Sequence, residues 1–282
     1  MRKLLLLVSF SVCFNAQYVL AQTEEPESEP PPTIQPEKGD IGLGFDAVPF
    51  LEYLGNIFNG TQNNSVGAAF PGNSQQIFVK FHLSDDAAIR SRFRTDYDRV
   101  TNRNRVILDN QPIPDPSVEV TDEWITSPTD IRIGGGLEFR KGSEKIVGVF
   151  GGEASFIYSQ QVISYEYGNP ITEQNQSPTS TFSQINAGRF ERLTEQRQNK
   201  QLGAGFNAFI GVEYFFAPKI SLGAEFTLGV DFMKAYRSQN TYEFWDAASS
   251  SIQNRTTISE GGNSLAVDTG NYGGSINLMF YF

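Results

Sequence analysis

The chain has 282 residues, with 22 Lys+Arg against 32 Asp+Glu, a formal net charge of −10 and 39% hydrophobic residues. That acidity argues against a nucleic-acid-binding surface. One cysteine, Cys13, and one histidine, His82, exclude a disulfide framework and the usual zinc centres.

Arg2 and Lys3 precede the apolar run Leu4 to Phe14, and Val19-Leu20-Ala21 precedes Gln22. This pattern predicts a secretory signal peptide over 1–21, too short to span a bilayer as a helix. Cys13 lies inside it; a lipoprotein site there is the minor alternative, opposed by Val12. Removing Arg2 and Lys3 leaves 20 basic against 32 acidic residues, a net −12. Residues 22–39 are rich in Glu and Pro and predict a disordered periplasmic tail, a spacer rather than a docking motif.

The remaining 40–282 reads as one domain. Eight segments carry a two-residue period: 41–48, 76–83, 88–97, 130–139, 146–159, 201–215, 220–234 and 270–282. Short connections at 84–87, 140–145 and 216–219 alternate with long ones at 49–75, 98–129, 160–200 and 235–269. The period and the loop lengths predict an all-β fold: an eight-stranded antiparallel transmembrane outer-membrane barrel with short periplasmic turns and long extracellular loops. The strand 88–97 has only a partly apolar outer set, and reading it as two pieces changes the strand count.

One face of each strand is mostly apolar, as in Ile77, Val79, Phe81 and Leu83, or Leu222, Ala224, Phe226, Leu228 and Val230. The other face collects charge. Lys80, His82, Arg90, Arg92, Arg94, Arg132, Glu138, Glu153, Glu213, Glu225 and Asp231 are predicted to form a lumen charge network, with Asp46 and Asp96 on the same face. Inward glycines such as Gly136, Gly151 and Gly211 leave room for these long side chains. Eight strands enclose space for side chains or one small ligand, so a filled structural interior is the main expectation. A narrow ion or small-solute channel is the alternative.

Catalytic patterns are missing. There is no G-x-S-x-G and no histidine placed for a triad. Asp85-Asp86 reads as a solvated turn, and Asp96 with Asp98 lacks the spacing of a calcium loop. Gly134-Gly135-Gly136 lies inside a strand, away from any phosphate-loop context. The expectation is no enzyme, no cofactor and no metal.

The long connections are the expected place of specific function. Phe50, Leu51, Leu54, Ile57 and Phe58 form an apolar stripe after the first strand. It reads as a rim helix or as a docking surface for a partner barrel or surface protein. Trp124 and Trp245 join this candidate interaction surface. Phe182, Ile185, Phe190 and Leu193 suggest a short helix, and Tyr242, Phe244 and Trp245 suggest loop packing or glycan stacking.

The chain's last residues, SINLMFYF, place Ile276, Leu278, Phe280 and Phe282 on one face. This resembles the C-terminal insertion signal of outer-membrane barrels. With the strand pattern, residues 40–282 resemble the small outer-membrane β-barrel proteins of Gram-negative bacteria (OmpA/OmpX-like, Bacteroidetes-type), without a C-terminal peptidoglycan-binding domain. The resemblance implies a porin-like or structural protein in the cell outer membrane with both termini periplasmic. It implies outer-membrane lipid, lipopolysaccharide and the barrel-assembly machinery as partners, and a structural or surface-interaction role through the extracellular loops. An outer-membrane lipid-modifying enzyme is the remote alternative.

Overall fold

The computed structural model describes residues 33–47, 76–186, 188–268 and 275–282. All lie in the second of the chain's two units, Thr33–Phe282. The expected signal peptide, the expected tail up to Pro32 and the stripe Phe50, Leu51, Leu54, Ile57 and Phe58 lie outside the described residues.

Among the described residues, fourteen strands form one sheet. They are β1 Ile41–Asp46, β2 Gln76–Ser84, β3 Ala87–Tyr97, β4 Val100–Ile107, β5 Glu119–Ser143, β6 Ile146–Glu166 and β7 Ser183–Asn186. They continue as β8 Arg189–Arg197, β9 Gln201–Ala217, β10 Ile220–Ala235, β11 Ser238–Asp246, β12 Ser251–Ser259, β13 Gly262–Asp268 and β14 Ser275–Tyr281. Two-residue turns join β2 to β3, β5 to β6 and β9 to β10. Glu144 and Lys219 take positive φ angles of 51° and 58° in the last two, as tight hairpins require.

The pairings β14–β1, β1–β2, β2–β3, β3–β5, β5–β6, β6–β9, β9–β10 and β10–β14 are all antiparallel and run in a ring. Beyond the ring the sheet opens. β6 pairs β9 up to Ser159 and β8 from Val162. β8 then pairs β11, and β11 pairs β12. β4 extends the other side through β5, and β13 covers the far half of β10.

Alternation sorts the ring strands into two faces. On β2, Phe78, Lys80 and His82 are buried, while Ile77, Val79, Phe81 and Leu83 are 40–45% exposed. Leu137, Phe139, Phe150, Phe156, Phe226 and Leu228 continue that apolar outer face. Inside, Phe78, Val147, Val149, Phe215, Met279 and Tyr281 pack together, with Ile34 against them. Ile34 lies in the segment read as a tail, and its carbonyl accepts a hydrogen bond from Lys219 N at 2.9 Å. A Cβ on Gly151 would stand 2.9 Å from Phe209 Cζ, so glycine there lets the aromatic ring cross the interior.

The expected architecture needs correction. Among the described residues the sheet has fourteen strands, not eight, and long segments read as extracellular loops are strands: β4 and the start of β5, the end of β6 with β7 and β8, and β11 to β13. Of the expected last strand, 270–282, the described part holds β14, and β13 precedes it in the chain. The reason is physical. Strands such as β12, SIQNRTTIS, are exposed along most of their length and carry polar groups on both faces. They lack the one-sided apolar period that marks a half-buried strand. The short helix expected around Phe182–Leu193 is the β7–β8 hairpin. Among the described residues no helix is long and apolar enough to cross a membrane.

Candidate functional site

The strongest chemical feature is a buried cluster of charged side chains inside the ring. β2 supplies Lys80, β3 Arg90 and Arg92, β5 Glu138 and Arg140, β6 Glu153, β9 Glu213 and β10 Glu225. Alternation places each on the inner face. Glu138 binds Lys80 at 2.9 Å, Arg140 at 3.1 Å and Arg90 at 3.4 Å, and is itself fully buried. Glu213 forms ion pairs with Lys80 and, at 2.9 Å, with Arg140, and accepts a hydrogen bond from the Tyr281 hydroxyl at 3.0 Å. Arg90 donates to both oxygens of Glu225, at 2.8 and 3.2 Å, and its guanidinium lies 3.9 Å from the Phe209 ring centroid. Arg92 and Arg90 hold Glu153 at ion-pair distance, off hydrogen-bond alignment.

These contacts fix the charge states. Burial alone would raise the Glu213 carboxyl, but Lys80 and Arg140 hold it down at about 2. Burial alone would lower Lys80, but Glu138 and Glu213 hold it well above its ordinary value. His82 is pushed down to about 4 by burial and by Arg140 and Lys80. Its ring stands edge-on to Tyr281 at 5.4 Å, and neither ring nitrogen has a hydrogen-bond partner.

The network expected from sequence is therefore brought together for Lys80, Arg90, Arg92, Glu138, Glu153, Glu213 and Glu225. Arg132 and Asp231 form a separate half-exposed pair. Arg94 is half-buried further along the same face of β3, and the His82 ring lies beside the network with no hydrogen bond from either nitrogen to a described residue. Sequence reasoning missed Arg140 and Tyr281. Arg140 continues the period two residues past Glu138, and Tyr281 lies on the polar face of the final strand. Both signals were present. The channel expectation is corrected, because these side chains and Phe78, Phe209 and Phe215 fill the interior.

A second cluster lies among the added strands. Asp122 of β5 accepts from Gly168 N and Thr181 N at 3.0 Å each. Asn169 donates to Ile107 O at 2.8 Å and accepts from Asp109 N at 2.9 Å. Arg192 of β8 binds Asn169 O and Glu243 at 2.6 and 2.7 Å and lies over Tyr167. Trp124 packs edge-on to Phe182 at 5.2 Å. Trp245 sits instead on β11 opposite Ile252, so the two tryptophans belong to different parts of the sheet. Nothing local announces this cluster; Asp122 and Thr181 are 59 residues apart.

No family model matches the chain, and no curated protein matches it. The fourteen strands among the described residues, in place of eight joined by loops, withdraw the resemblance to small outer-membrane barrels and everything carried over from it. Corrected with it are the outer-membrane address, the porin-like and transmembrane description, the lipid, lipopolysaccharide and assembly-machinery partners, and the role through extracellular loops. The lipid-modifying alternative goes with them. Ile276, Leu278 and Phe280 do share one face of β14, and Phe282 follows its end; their reading as an insertion signal rested on the resemblance alone.

Proposed function

We propose that this chain is a non-enzymatic β-scaffold. The ion-paired interior is its structural core, and recognition falls to the ordered strands and edges built onto the ring. One observation carries the reading: each carboxylate of the buried cluster is engaged by two or three basic groups. Glu138 meets Lys80, Arg90 and Arg140, and Glu225 meets Arg90 and Arg92. A general acid or base needs a proton it can exchange with substrate at working pH. Glu213, held at about 2 and shut inside the ring, is poorly suited to that task.

The order of the added strands supports the same reading. Asp122, Asn169 and Glu191 are almost wholly buried there, so these segments form a rigid surface. Recognition on a rigid surface avoids the entropy of ordering a loop on binding.

Complementation of a deletion strain tests the proposal. Glu138→Gln, Glu213→Gln and His82→Gln are each expressed in the strain, and folded protein is quantified. Phenotype is expected to follow the amount of folded protein. A variant present and folded at wild-type level that fails to complement would place chemistry in the interior and overturn the reading.

A further inference from the structure

At the end of the ring where β6 leaves β9 for β8 there is a polar pocket of about 180 Å³. Asp130 of β5, Ser159 and Gln161 of β6, Gln201 of β9, and Gln198 and Asn199 from the β8–β9 connection line it. The register explains the gathering. Asp130 pairs Ser159, and Ser159 pairs Gln201, so three polar side chains form one row across adjacent strands.

The row shares the inner face with Glu138 and Glu213 further down the same strands, by the two-residue period.

We infer that this pocket binds a neutral polyhydroxylated ligand, one pyranose unit of a carbohydrate. The volume is that of about six waters at liquid density, a space that suits a single sugar ring. The lining chemistry selects the class. Each carboxamide offers both donors and acceptors, which matches hydroxyl groups that also do both. Asp130 adds a charged acceptor, which strengthens bonds from hydroxyls and repels phosphate or carboxylate ligands. The scarcity of apolar lining disfavours a lipid or steroid.

The hydrogen-bonding capacity is largely unspent. The side chains of Asp130, Ser159, Gln161, Gln198 and Gln201 make no hydrogen bond or ion pair to any other described residue. Two neighbours are instead set in place. Asn199 donates to Tyr236 O at 2.6 Å, which leaves its side-chain oxygen as acceptor. Gln160 accepts from the Tyr158 hydroxyl at 2.8 Å, which leaves its NH₂ as donor. Gln198 N is tied to Gln161 O at 2.9 Å, so the connection is pinned to β6. The pocket is thus shaped before any ligand arrives.

This inference rests on the scaffold reading, and the experiment separates the two. The full chain is titrated by calorimetry with methyl glucoside, methyl galactoside and methyl mannoside. Cyclohexanol serves as an apolar ring of similar shape, and argininamide as a cation. Saturable binding of at least one pyranoside is expected, weakened about tenfold or more in Gln161→Leu and in Gln201→Ala. Circular dichroism confirms that at least one of these variants is folded. Absence of binding by all three pyranosides, equal binding by wild type and a folded variant, or preference for cyclohexanol or argininamide would each overturn the assignment. Conversion of a bound pyranoside to product would uphold the pocket and overturn the non-enzymatic reading.

Discussion

Arg90 and Glu225 face each other from opposite sides of the ring, β3 and β10 being four strands apart in either direction. The guanidinium spans the interior and meets both carboxylate oxygens, at 2.8 and 3.2 Å. Lys80 of β2 and Glu213 of β9 are related in the same way. These pairs brace the ring across its width, where backbone ladders act only between neighbours. The geometry ties strands distant in sequence, Arg90 and Glu225 being 135 positions apart.

Buried and exposed ion pairs should separate clearly under mutation. Glu138→Ala leaves Lys80, Arg90 and Arg140 short of a counter-charge in a closed interior. The expected loss is about 3–5 kcal/mol. Glu123→Ala, which removes the half-buried partner of the exposed Arg103, should cost less than about 1 kcal/mol. Equilibrium urea unfolding of both variants measures the difference.

Acid should destabilise the fold in two steps. His82 has a folded value of about 4 against an ordinary 6.5. The unfolded chain therefore binds this proton first, and stability present above pH 6.5 falls as pH drops from 6.5 toward 4. Glu213 has a folded value of about 2 against 4.5. Its contribution is present above 4.5 and is lost as pH falls from 4.5 toward 2. His82→Gln should flatten the upper step and leave the lower one. Thermal midpoints recorded across pH 2–8 (a range chosen to span both steps) read this directly.

Asp122 should control the order of the segment it caps. Asp122→Ala removes acceptors for Gly168 N, Thr181 N and the Thr181 hydroxyl. Each buried donor left unpaired costs about 1–3 kcal/mol. Amide exchange should rise in 167–182 while β9 and β10 keep their protection. Uniform loss of protection would show that the added strands and the ring open together.

Legibility in the sequence followed burial. β2, β6, β9 and β10 each bury one face, and their alternating side chains announced both strand and facing. The turns at Asp85-Asp86, Glu144-Lys145 and Pro218-Lys219 were marked by their brevity between such runs. β11 and β12 are fixed by pairing with each other and with β8, and ladder hydrogen bonds leave no mark on side-chain pattern. The same holds for the site. The facing of Lys80 and Glu213 was readable from period two, but not that they pair. The mouth pocket was hidden because β8 and β9 had to be placed before Gln198 and Gln201 could meet Asp130 and Ser159.

The central claim is that the interior charges hold the ring together. A double-mutant cycle on Arg90→Ala and Glu225→Ala, measured by urea unfolding, tests it most directly. The account predicts a large loss for each single change and a double variant much less destabilised than their sum, with a coupling of about 2 kcal/mol or more. Single changes that leave stability unaltered, or strictly additive losses, would contradict a cross-braced core.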